Sequence, residues 1–132
     1  MGRTSDFYDE GDCRKMFPRF QRERMERNQR IVRQIVEMAA EKACTPAQLC
    51  LAWVLAQGDN IIPIPGTKHV GYLEENLLAT RVKLTAEDLQ KLDEIAPIGS
   101  FSGTRYPEQF MQSNNLKTEE EVIKEHARKG LK

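Results

Sequence analysis

The feature that most constrains this chain is a single short run with the character of a buried strand, Ile61-Ile62-Pro63-Ile64, set among helical patterns. The run is apolar, rich in β-branched residues and too short for a helix, and it follows Asp59-Asn60. Pro63 and Pro65 remove ladder donors, so the strand is expected to end there. A lone strand can neither satisfy its own backbone groups nor bury itself. The run therefore predicts one strand of a larger α/β sheet, with an edge that is free to self-associate or to pair with another chain.

The surrounding sequence reads as helix. Ile31, Val32, Ile35, Met38 and Ala39 recur at spacings of three and four, which predicts a one-faced helix over 22–43. Thr45-Pro46-Ala47-Gln48 has the form of a capping box with proline in the first helical turn. The segment that follows, Leu49–Gln57, is apolar nearly all round, as suits a helix wedged between a sheet and other helices, and Gly58 is a stop signal. A further helix is expected from His69 or Val70 to Thr80, with Leu73, Leu77 and Leu78 facing inward. Thr85 caps another, whose apolar stripe is Leu89, Leu92 and Ile95 and which Pro97 and Gly99 end. Residues 98–117 are tail-like, with a short turn of helix near Glu108–Met111. Thr118 then caps a charged helix to about Lys129 that has only Val122 and Ile123 to bury. Residues 1–20 are irregular. The chain thus reads as one partial domain: a loop over 1–21, helices and the strand over 22–96, and a tail over 97–132.

Composition narrows the function classes. Lys and Arg number 20 and Asp and Glu number 20, so no global field draws the chain to nucleic acid or to an anionic membrane. Arg22, Arg24, Arg27, Arg30 and Arg33 alternate with Glu23 and Glu26, a pattern of a solvated helix face rather than an RNA-binding one. No stretch approaches the roughly 20 apolar residues that cross a bilayer. The N-terminal residues lack the apolar core of a signal peptide, and Asp6 stands where a myristoylation motif wants Ser or Thr. Cys13, Cys44 and Cys50 form no CxxC and no metal-like pair with His69 or His126, which fits reduced thiols in a cytoplasmic setting, with Cys44 and Cys50 expected to pack rather than react.

Chemistry concentrates in Pro65-Gly66-Thr67-Lys68, between the strand and the helix. The first turn of a helix offers unpaired N–H groups and partial positive charge, to which anions bind. Gly66 allows close backbone approach, Thr67 adds a hydroxyl, and Lys68 and His69 add cationic donors. Tyr72 and Asn76 share a helix face, and Glu75 and Asn76 offer an acceptor and an amide to a base or sugar. A phosphate site in a (β/α)8 barrel is built in this way. A plain strand-to-helix connection uses the same turn chemistry, and spacing alone leaves the two readings level. With no GxGxxG and no GxxxxGK[ST], Rossmann and P-loop readings have no support.

The segment IIPIPGTKHVGYLEENLLA resembles the cofactor signature of the aldo-keto reductase family. FPRFQRERMERN (Phe17–Asn28) resembles the segment after the seventh barrel strand, TPAQLCLAWVLAQG (Thr45–Gly58) the helix before the eighth, and LTAEDLQKLDEIAP (Leu84–Pro97) the post-barrel helix. The blocks run in unbroken order over about residues 10 to 110. The resemblance implies an α/β fold: the C-terminal part of a (β/α)8 TIM barrel, mostly helical in this chain, with one short parallel-type strand. It also implies NADP(H) as cofactor, a small carbonyl substrate in the intact enzyme, and hydride transfer between the two. By the same resemblance Gly66, Thr67 and Lys68 would hold the adenosine 2′-phosphate and Glu75 and Asn76 the adenine, with Tyr72 nearby. His69 stands where relatives often carry Arg. The loop over 2–20 would be a strap over the cofactor. The family's catalytic Asp, Tyr, Lys and His map onto nothing here, so Tyr8, Tyr72, Tyr106, His69 and His126 take no catalytic role. The chain alone is expected to be inactive. The alternative is a non-catalytic truncated binding or regulatory module that pairs with a partner chain.

Overall fold

The computed structural model describes residues 12–113 and 116–129. Among these the regular structure is helical: α1 Arg22–Glu41, α2 Pro46–Leu55, α3 Val70–Leu78, α4 Ala86–Ile95, α5 Glu108–Ser113 and α6 Glu119–Lys129. Short 3-10 turns span Cys13–Met16, Pro18–Phe20 and Ala79–Arg81. The expected loop thus contains two such turns, and its first eleven residues, with most of the expected strap, lie outside the described residues.

Helix boundaries follow their local chemistry. At α2 the Thr45 hydroxyl accepts from the Gln48 amide at 3.2 Å, and the Gln48 side chain accepts from the Thr45 amide at 3.0 Å. Thr85 and Asp88 repeat the device at α4, and Thr118 and Glu121 at α6. Each box satisfies donors that the first turn would otherwise leave unpaired. Helix α1 stops at Glu41, two residues short of the expected end. The Cys44 amide reaches back to the Ala39 carbonyl and the Ala43 amide to that of Ala40, while Ala43 adopts φ +52°. This is a Schellman closure with alanine in the position usually held by glycine.

The chain divides into two compact units. One runs over 32–95. Its core contains Ile35, Met38, Ala39, Leu49, Ala52, Ala79 and Leu92, all buried. Helix α2 packs on α3 and on the Ala79–Arg81 turn. Glu41 pairs with Lys91 at 2.7 Å, and Lys42 pairs with Asp88, tying the end of α1 to α4.

The other unit comprises the described residues up to Ile31 together with those from Ala96 onward. Here Asn28 is a buried polar residue. Its Oδ1 accepts from the Ser102 amide at 2.7 Å, and its Nδ2 donates to the Ser102 carbonyl at 3.1 Å and to the Arg19 carbonyl at 3.4 Å. Phe17 and Tyr106 meet edge to face with centroids 5.5 Å apart. Gly103 has φ +94°, and a Cβ there would lie 3.0 Å from the backbone of Pro18 and Arg19. Only glycine permits that approach.

Three expectations are corrected. Ile61–Ile64 is not a strand: no strand occurs among the described residues, and Ile62 and Ile64 are 81% and 92% exposed. A strand exists only through its neighbours' ladder bonds, and no neighbouring strand is described. A strand edge for self-association is accordingly not seen among the described residues. Leu73, Leu77 and Leu78 do not face inward; all three are exposed. Likewise α2 is not enclosed: Leu49 and Ala52 are buried, but Cys50 and Leu55 are exposed. Apolar periodicity marks the faces that could be covered but not what covers them.

Candidate functional site

The turn ahead of α3 lies within the 32–95 unit and is organised from inside itself. The Thr67 hydroxyl accepts from the His69 amide at 3.2 Å and donates to the His69 carbonyl at 3.3 Å. His69 occupies the N-cap position with extended backbone, and its side chain makes no capping bond. The Leu73 amide closes the first helical bond to the His69 carbonyl at 3.1 Å. The amides of Val70, Gly71 and Tyr72 therefore have no intrahelical acceptor. A Cβ added at Gly66 or at Gly71 would meet nothing within 4 Å, so both backbones are approachable. Lys68 is exposed.

Farther along, the Tyr72 ring stands edge to face with the His69 imidazole, centroids 5.3 Å apart and planes at 86°. Glu75 and Asn76 are half-buried. The Glu75 carbonyl accepts from Gln48 Nε2 at 3.0 Å, so the capping residue of α2 also fixes the middle of α3. That second duty of Gln48 had no signal in the sequence beyond its capping role. All seven expected residues, Gly66, Thr67, Lys68, His69, Tyr72, Glu75 and Asn76, thus fall on one continuous turn and helix with solvent on its open side.

Other reactive groups give no competing centre. Among the described residues no cluster of three or more His, Cys, Asp or Glu could hold a metal ion. Cys13, Cys44 and Cys50 are free thiols, and desolvation pushes Cys44 and Cys50 above the usual thiol range. Such thiols are poor nucleophiles. Among the arginines in and before α1, Arg14 pairs with Asp12 and Arg22 with Glu26. Among the described residues no helix is long and apolar enough to cross a membrane.

The turn leaves the first-turn amides of α3 and the Lys68 side chain open to solvent. Comparison with known proteins identifies the family of the chain. A family profile described as the aldo/keto reductase family matches residues 1–97. The chain is 45% identical over 105 residues to the Schizosaccharomyces pombe protein named aldo-keto reductase yakc NADP(+), covering 80% of this chain and 31% of that protein. It is 46% identical over 92 residues to a Glycine max protein named probable aldo-keto reductase 1, covering 70% of this chain and 27% of that protein. The chain belongs to the aldo/keto reductase family and spans less than a third of the length of these two relatives.

Proposed function

We propose that residues 66–76 form the adenosine 2′-phosphate and adenine site for NADPH in a carbonyl–alcohol oxidoreductase, and that the catalytic residues of that reaction lie outside this chain. The observation that carries this reading is the Thr67-ordered turn, which leaves Lys68 and the first-turn amides of α3 open to solvent. The name of the fission-yeast relative, which specifies NADP(+), supports the choice of cofactor.

The donor set fits a phosphate. The first-turn amides donate to its oxygens. Lys68 supplies a mobile point charge. Gly66, with nothing near its Cβ position, lets the phosphate approach the backbone. Thr67 orders the turn, and its long 3.3 Å bond to the His69 carbonyl yields readily to a phosphate oxygen. His69 adds an imidazole donor held against Tyr72. The Asn76 amide suits the N6/N7 edge of adenine, and the Glu75 carboxylate accepts from the N6 amine. NADPH itself supplies the hydride. What this chain contributes is grip and register on the adenosine end, and a cytoplasmic, NADPH-rich setting suits its reduced thiols.

The test is a titration of the chain with NADPH followed by cofactor fluorescence, alone and with the remaining barrel portion of a relative added in trans. Saturable binding in either arrangement supports the site. Absence of binding in both contradicts it.

A second reading has its own observation. Ile62, Ile64, Val70 and Leu77 are each more than half exposed, and soluble surfaces seldom carry so many apolar residues in one segment. A non-catalytic module that docks this face on a partner chain would cover them. Light scattering after size exclusion discriminates: a monomer with a cooperative melt argues against that module.

A further inference from the structure

We infer that the unit built from the residues before Val32 and after Ile95 carries a second binding site, for a small monocarboxylate with an apolar body. A cavity of about 520 Å³ opens in this unit, within the size range of small-molecule sites. Three cationic side chains, Arg19, Arg105 and Lys117, line it, and no acidic residue is among its described lining. Phe101 and Met111 contribute apolar surface. Cations above an apolar wall complement an anionic head on an apolar body.

The wall is preorganised. Arg19 Nε donates to the Gly103 carbonyl at 2.9 Å, and its guanidinium sits 5.9 Å from the Phe101 ring centroid, within cation–π range. Gly103 is held against Pro18 and Arg19 by its positive φ, and the Asn28–Ser102 bonds fix the adjoining backbone. The charge is therefore positioned before any ligand arrives, which lowers the ordering cost of binding. Lys117 is partly neutralised by its pairing with Glu125, which favours a monoanion over a dianion.

The experiment is an amide chemical-shift titration of the full 132-residue chain with naphthoate, and separately with the neutral naphthalenemethanol. Naphthoate is expected to saturate, with shifts concentrated over residues 98–122, and to weaken as salt is raised. The alcohol is expected to bind roughly tenfold more weakly, the loss that follows from removing one charge-assisted contact. Arg105→Gln, at an exposed position, should weaken naphthoate by a similar factor and leave the alcohol unchanged. Equal affinity for acid and alcohol, shifts concentrated on Ile62–Leu77, or no saturable binding would each overturn the proposal. The comparison of the two ligands on the unaltered chain stands even if the variant misfolds.

Discussion

Gln48 of α2 donates from Nε2 to the backbone carbonyl of Glu75 in α3 at 3.0 Å, while its Oε1 accepts from the Thr45 amide at 3.0 Å. One buried side chain therefore caps its own helix and holds the helix proposed to meet adenine. Replacing it with alanine removes both bonds and takes the Gln48 donor from the half-buried Glu75 carbonyl. Gln48→Ala is expected to destabilise the fold by about 1–3 kcal/mol, read as a lower denaturant midpoint. Gln48→Glu keeps the acceptor facing Thr45 but loses the donor, and should weaken adenosine-nucleotide binding more than it weakens α2.

Ala43 holds φ +52° at the end of α1, a conformation costly for any residue with a Cβ. Ala43→Gly is expected to stabilise the chain by roughly 0.5–1 kcal/mol, the left-handed penalty less the extra freedom that glycine gains when unfolded. Chemical denaturation measures this directly. No change, or a loss, would contradict the Schellman closure.

Gly103→Ala should do the reverse. With φ +94° and the Arg19 backbone only 3.0 Å from the new Cβ, the cost is expected to exceed about 1 kcal/mol. Hydrogen exchange should locate the damage: faster exchange at the Ser102 amide that bonds Asn28, with little change in the 32–95 unit.

The Asp88 carboxyl is held below its ordinary range, first by the Lys42 side chain and then by the Thr85 amide. A depressed carboxylate stabilises the fold above its unfolded pKa of about 3.9, and that contribution is lost as pH falls through the lower folded value. Thermal melts should therefore show Tm falling on acidification below about pH 4, with a shallower fall in Asp88→Asn. An unchanged acid slope in the variant would sink the assignment. Asp12, held at about 2 chiefly by its hydrogen bonds from Arg14, and Glu121, held low by Thr118, titrate in the same direction and set the residual slope.

What could be read from the sequence was mostly local. Thr45-Gln48, Thr85-Asp88 and Thr118-Glu121 announce helix starts because a capping box needs only four consecutive residues. Whether Ile61–Ile64 forms a strand could not be decided in this way, since a ladder needs partner strands and none occurs among the described residues. The inward face assigned to Leu73, Leu77 and Leu78 failed for a related reason: periodicity identifies an apolar stripe but not what covers it. Asn28 and Gly103 carried no sequence signal, because the Asn28–Ser102 bonds and the Gly103–Arg19 approach join residues more than seventy positions apart. The placement of Gly66 to Asn76 on one turn and the start of one helix was legible because the seven residues lie in one short segment and a turn-to-helix junction needs only local pattern.

Reductase activity is not expected from this chain alone, since no residue here takes a catalytic role in the proposed reading. Assay with NADPH and a small aldehyde, using protein free of host reductases, should show no turnover above the uncatalysed rate. Turnover would place a proton donor within these 132 residues.

The central claim is that the turn grips a 2′-phosphate, and it can be isolated from the rest of the cofactor. Calorimetry of the chain with 2′,5′-ADP and with 5′-AMP compares ligands that differ by that phosphate. The account predicts tighter binding of 2′,5′-ADP by roughly tenfold or more, as charge-assisted contacts give, and loss of most of that preference in Lys68→Gln. Equal affinity for the two nucleotides, or a preference that survives in Lys68→Gln, would contradict it.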